Sequence, residues 1–169
     1  GMWITASREV VAEAVRRHQF NKAFKRELRT PQTLPADIEA LLVRSVTEAL
    51  GIAAKAGQIV AGFGKVESAL REGTVEVLIH ASDGAADGIR KLDMLARQNA
   101  GNRGAKPQIP VVTVLKSIEL DLALTRSNVI HAALLAGPAS RSFLSRSQML
   151  VRYRMADDDK TAEKPGQDF

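Results

Sequence analysis

Cysteine is absent from the 169 residues. Disulfides, thiolate zinc sites and cysteine nucleophiles are therefore excluded. Aromatic residues make up 4% of the chain, so a core must be built from Val, Leu, Ile and Ala, within an apolar share of 45%. That share suffices for a packed interior and is too high for a disordered chain. No apolar run approaches the ~20 residues that a membrane helix needs. No signal peptide opens the sequence, and the expected compartment is the cytoplasm. The three histidines, His18, His80 and His131, share no metal-ligand spacing, and no carboxylate stands in the pattern of a helical metal site. Neither a metal nor a cofactor is expected.

What the chain does have is basic charge, unevenly placed. The formal net charge is +5, but residues 1–155 carry 22 Lys and Arg against 14 Asp and Glu, and residues 156–169 carry 2 against 5. A basic body with an acidic tail attracts polyanions, because phosphates are met by Lys and Arg and counterions are released.

The apolar spacing places the elements. Ser7 is an N-cap candidate for a helix with Val10, Val11, Ala14 and Val15 as a narrow stripe, and Phe20, Phe24 and Leu28 continue it among Lys22, Lys25, Arg26 and Arg29. These phenylalanines are expected to dock the segment, with a basic outer face. Pro31 and Pro35 mark a boundary. Ile38, Leu41, Leu42, Val46, Ala49, Leu50 and Ala53 then keep helical spacing up to Gly57. From there the chain alternates: strand 58–61, helix 63–72, strand 75–80, a helix capped by Ser82 and Asp83, a polar loop over 99–108, strand 109–115, a short helix capped by Ser117, strand 129–135 and a helix opened by Pro138. That last helix has Phe143, Leu144, Met149, Leu150 and Tyr153 as its apolar positions. Strands apolar on both faces require cover on both sides. The fold class is therefore α/β: a three-layer α/β/α sandwich on a four-stranded mixed sheet, preceded by a small basic helical segment. The expected domains are 1–33, 34–155 and a disordered acidic tail, 156–169.

Two motifs carry chemistry. Gly57 to Gly62, followed by Phe63, Gly64 and Lys65, joins a strand to a helix start. Free N–H groups, the helix dipole and Lys65 suit a phosphate there, and glycines allow close approach. A tight turn needing small residues explains the same pattern. The spacing fits neither a Walker loop nor a dinucleotide fingerprint. The second motif is Thr125-Arg126-Ser127-Asn128, a polar turn in which Arg126 can fork onto a phosphate or a base edge, while Ser127 and Asn128 also suit a plain turn. Ser82 and Asp83 read as helix caps rather than catalytic groups, and His80 and His131 as core histidines.

The order of these pieces resembles the bacterial branch of the ribosomal-protein L-seven-Ae family. It comprises the long helix with Lys55-Ala56-Gly57, then Gly62-x-x-Lys65-Val66-x-x-Ala69-Leu70-x-x-Gly73, then Val77-Leu78-Ile79-His80-Ala81-Ser82-Asp83. Ile109-Pro110-Val111-Val112 and Arg126 ahead of the last strand complete it. The resemblance implies a non-enzymatic α/β/α domain that binds kinked RNA helices (kink-turns), with ribosomal RNA, the ribosome, translation and ribosome assembly as its setting. The RNA-binding residues it implies are Gly62, Phe63, Gly64, Lys65, Arg126, Ser127 and Asn128. Gly64 and Lys65 stand where kink-turn readers carry an amide and a carboxylate, and Ser68 where they carry a lysine. Phosphate and shape recognition is thereby favoured over base reading. Residues 1–29 resemble the last half of a YlxR-type domain, whose Gly-rich turn and aromatic strand match Gly1-Met2-Trp3-Ile4. On that resemblance Met2 is internal to a longer protein and the first half-domain is missing; otherwise Gly1 is a cloning scar. Two rival functions remain: a protein-interaction or dimerisation module that has lost RNA recognition, and a nucleotide enzyme using the Gly62 turn, for which the sequence offers no base or carboxylate pair.

Overall fold

The computed structural model describes residues 1–102 and 107–155. The acidic tail and the centre of the basic 99–108 segment lie outside the described residues. Two compact units divide the chain, Gly1–Val43 with Gln148–Phe169, and Arg44–Ser147, so the boundaries fall inside two long helices.

In the first unit, Ser7 caps α1 (Arg8–Arg16) by accepting the Val10 N–H, and Val11, Ala14 and Val15 are buried. α2 (Gln19–Phe24) follows, with left-handed residues at both ends, and it buries none of its residues. This narrows the docking role expected of its aromatics: Phe20 is half-buried, but Phe24 is 46% exposed, because six residues give under two turns. α3 (Leu34–Lys55) begins in this unit. Glu39 receives Arg8 on one carboxylate oxygen and Arg154 on the other, at 3.0 and 2.7 Å, and the Tyr153 hydroxyl donates to Pro35 O at 2.7 Å.

The second unit holds the sheet. β1 (Ile59–Ala61) leads through Gly62 into α4 (Phe63–Glu72). Gly73 stops that helix in the left-handed region, and β2 (Val75–His80) leads to α5 (Ala86–Asn102). β3 (Val111–Val112), α6 (Ser117–Leu124), β4 (His131–Leu135) and α7 (Pro138–Met155) complete the order. The strands run β1-β4-β2-β3, with β4 antiparallel to both neighbours and β3 parallel to β2. Alternation along β2 and β4 sorts their side chains onto two faces. Leu78 and Ala133 face α4 and α5, where they join Val66, Ala69, Leu70, Leu92 and Ala96 in one buried cluster. Val77, Ile79, Ala132 and Leu134 turn the other way and are equally buried. Cover on both faces makes the three-layer sandwich that the continuous apolar strands require.

Several local expectations are overturned. α5 runs on to Asn102, so residues 99–102 are helix rather than loop. β3 is two residues long, because Pro110 has no N–H to add to the ladder. Ser82 and Asp83 do not cap α5, which starts at Ala86; Asp83 instead accepts from Ser117. Lys116, not Ser117, is the N-cap of α6, and its N–H is held by Glu119 at 2.8 Å. Leu41 and Met149, expected inward, are exposed. No helix among the described residues is long and apolar enough to cross a membrane.

Candidate functional site

Because β4 runs against β1 and β2 while β3 runs with β2, four connections meet at one rim of the sheet. They are 62 after β1, 81–85 after β2, 113–116 after β3 and 125–130 before β4. The register fixes this: Ala61 pairs with Ala132 and His80 with His131. The Gly62 N–H donates to His131 O at 2.8 Å, and the Ala81 N–H to Ile130 O at 2.8 Å. The two motifs picked out in the sequence, 63 positions apart, are therefore carried on adjacent strand ends.

Gly62 sits at φ +99° and ψ 147°, a conformation that side chains other than glycine's hydrogen disfavour strongly. Its carbonyl accepts the Val66 N–H, closing the first turn of α4, and it offers no side chain to the amides before that. Phe63 is 38% exposed, and its ring meets His131 edge-on at 5.8 Å. A Cβ at Gly64 would meet nothing within 4 Å, so the backbone there is open to close approach. Lys65 is exposed in the first turn of the helix.

The other turn is preset by Asp121. Its carboxylate accepts the Asn128 N–H at 3.0 Å and the Val129 N–H at 2.7 Å, and its carbonyl accepts the Arg126 N–H. Thr125 and Asn128 both have positive φ, 51° and 59°. Asn tolerates that region; a β-branched Thr is strained there, so the turn is held by its contacts. Thr125, Arg126, Ser127 and Asn128 are all exposed.

The rim's carboxylates keep their charge but already have donors. They are engaged by backbone N–H groups: Asp83 takes the Ser117 N–H and hydroxyl, both at 2.8 Å, Glu119 takes Lys116 N–H, and Asp121 takes the two amides above. The Ser117 N–H is the main reason that the Asp83 carboxyl lies below its ordinary range, with Lys116 adding a smaller electrostatic pull. Among the described residues Lys65 and Arg126 enter no ion pair. Lys116 is the rim cation that the sequence reading missed; a lysine next to a helix start is a common surface residue and gave no signal.

A second group was missed for a different reason. His80 and His131 face each other across β2 and β4 with their Nδ1 atoms 2.9 Å apart, and His80 Nε2 lies 3.1 Å from Asp93 Oδ1. The two rings meet edge to face at 5.0 Å, at 0% and 7% exposure. Burial is the largest influence on both and lowers both pKa values below the ordinary histidine range, while Asp93 opposes it. The two positions lie 51 residues apart, and only the register joins them. The described residues contain no group of three or more ligands able to hold a metal.

The histidine pair leaves no room at Gly88 of α5, where a Cβ would stand 2.7 Å from His131 Nε2. Alanine gains about 1 kcal/mol of helix propensity over glycine, but overpacking a fixed ring costs about 1–3 kcal/mol. Gly88→Ala is therefore expected to lower stability by up to about 2 kcal/mol in urea unfolding, the reverse of an ordinary exposed Gly→Ala change.

No family model matches the chain, and no curated protein does. Among solved structures, the chain is similar to a Giardia lamblia 15.5kD RNA-binding protein, at 19% identity and a TM-score of 0.47, covering 64% of this chain and 87% of that one. It shares its fold with a Bacillus halodurans protein of unknown function, at 23% identity and a TM-score of 0.53, over 61% of this chain and 96% of that one.

Proposed function

We propose that the chain is a non-enzymatic RNA-binding protein that seats a structured, kinked RNA on the rim formed by Gly62, Phe63, Gly64 and Lys65 beside Arg126, Ser127 and Asn128. Ribosomal or other translation-related RNA is the expected partner. One observation carries this reading: the rim's carboxylates are bound by backbone amides, while Lys65 and Arg126 are left for an external anion. Phosphate contacts then position the RNA, the open glycine backbone admits it closely, and Phe63 offers an aromatic face at the same edge. Membership of the ribosomal-protein L-seven-Ae family belongs to this proposal and rests on the order of the sequence motifs.

The test is a salt titration with a kinked RNA duplex and a straight RNA duplex of equal length. Two or three phosphate contacts require log Kobs to fall with log salt at a slope of about −2 to −3. The kinked duplex should bind the tighter. Equal, salt-insensitive affinities for both would overturn the reading. Salt-insensitive association with a protein, with no RNA retained, would favour the interaction module instead.

A further inference from the structure

We propose that His80, His131 and Asp93 form a proton-operated latch that holds the Gly62–Phe63 turn shut until acidification protonates both rings, and then releases it.

The hydrogen-bond logic is strict. An ionised Asp93 only accepts, so His80 carries its proton on Nε2 and presents a bare Nδ1. With the Nδ1 atoms 2.9 Å apart, His131 must donate from its Nδ1, which leaves its Nε2 bare and turned toward Gly88. One extra proton fits, because the shared proton can pass to His80 and put the charge beside Asp93. A second sets two N–H groups against each other at the same distance, and the contact breaks.

What breaks is attached to the rim. The carbonyl of His131 holds the Gly62 N–H, and its ring meets Phe63. His80 is sealed from solvent and His131 is 7% exposed, while Asp93 is more open: its side chain is 24% exposed and helps line a cavity of about 370 Å³ with Ala96, Arg97, Gln108, Ile109, Pro110 and Val111. Protons thus have an entry on the β3 side and an effect at the β1 side. Among the groups facing the pair, β2 and β4 each contribute one ring, α4 contributes uncharged Phe63, and α5 contributes Asp93, the charged group that acts on both rings.

The sign of the pH dependence follows. Both histidines take up protons less readily folded than unfolded. Their contribution to stability is complete above about pH 6.5, the unfolded value, and is lost as pH falls below it. Consequences for RNA rest on the function proposed above; the latch itself is a property of the protein alone.

The experiment is therefore done on the free, full chain. The protection factor of the Gly62 amide is measured by hydrogen exchange from pH 8 to pH 5, with imidazole ¹⁵N shifts recorded alongside. The expected result is a drop in protection of at least tenfold as the rings protonate. Asp93→Asn should move the midpoint to lower pH, because it removes the charge that favours ring protonation; a merely structural role would lower protection at every pH and leave the midpoint in place. His131→Phe should abolish the pH dependence, and if that variant does not fold, wild type and Asp93→Asn decide alone. PH-independent protection in wild type, or an unmoved midpoint in Asp93→Asn, overturns the latch. RNA affinity, followed over the same range, is a separate arm: absence of binding at every pH fails the RNA reading and leaves the exchange result standing.

Discussion

Lys65→Glu combined with Arg126→Glu lowers affinity for a kinked RNA duplex by about a hundredfold and flattens the salt slope by about two. Hydrogen bonds to charged groups contribute ~1.5–3 kcal/mol each, and the exposed setting argues for the low end, so two lost contacts cost about 3 kcal/mol. The slope changes because each phosphate contact releases close to one counterion. Folding is not expected to contribute. Both side chains are exposed and outside any ion pair among the described residues, which keeps the stability change within about 0.5 kcal/mol. A glutamate in the first turn of α4 even complements the helix dipole. Electrophoretic or filter binding over a salt series, beside a urea melt of the same variant, separates the two effects. Affinity within twofold of wild type would remove Lys65 and Arg126 from the site.

The elements that were legible in the sequence are those that local chemistry delimits. α4 and β2 fall where expected because Gly62 and Gly73 punctuate them, and Gly57 closes α3 in the left-handed region. What stayed hidden depends on partners distant in the chain. Asp83 looks like an N-cap from its neighbours, yet its acceptor capacity is spent on Ser117, 34 residues on. β3 reads as a seven-residue apolar run, but a strand is defined by pairing, and only Val111 and Val112 pair with β2. The closeness of the Gly62 and Arg126 turns follows from the order β1-β4-β2-β3, which no spacing along the chain encodes. The same topology pairs two histidines that separately read as ordinary core residues. The reading of each ring as a core residue holds, since both are buried; their pairing stayed hidden because a buried polar group's partner is set by register.

Leu78→Ala supplies the opposite kind of perturbation, with a large loss of stability and little change at the rim. Leu78 lies in β2, between β4 and β3, fully buried on the face covered by α4 and α5. Its cluster includes Val66, Leu70, Leu92 and Ala133, which cannot all collapse into the space left by three lost carbons because they are fixed on α4, α5 and β4. Leu→Ala at such sites costs about 2.7–5 kcal/mol, the transfer free energy plus the cavity. About 3–4 kcal/mol is expected here, a large part of the ~5–15 kcal/mol that holds a domain together. For a unit of about a hundred residues, Tm should fall by roughly 15 °C in calorimetry. At 10 °C, where the variant is still folded, RNA affinity should stay within about threefold of wild type, since the cations and the amides that hold the rim carboxylates are untouched. The two variants make a crossed pair: one loses binding and keeps its melt, the other loses its melt and keeps binding. If Leu78→Ala instead lost affinity as steeply as the charge reversal while still folded, the rim would owe its shape to the packing beneath it, and its two turns could no longer be treated as a preformed site.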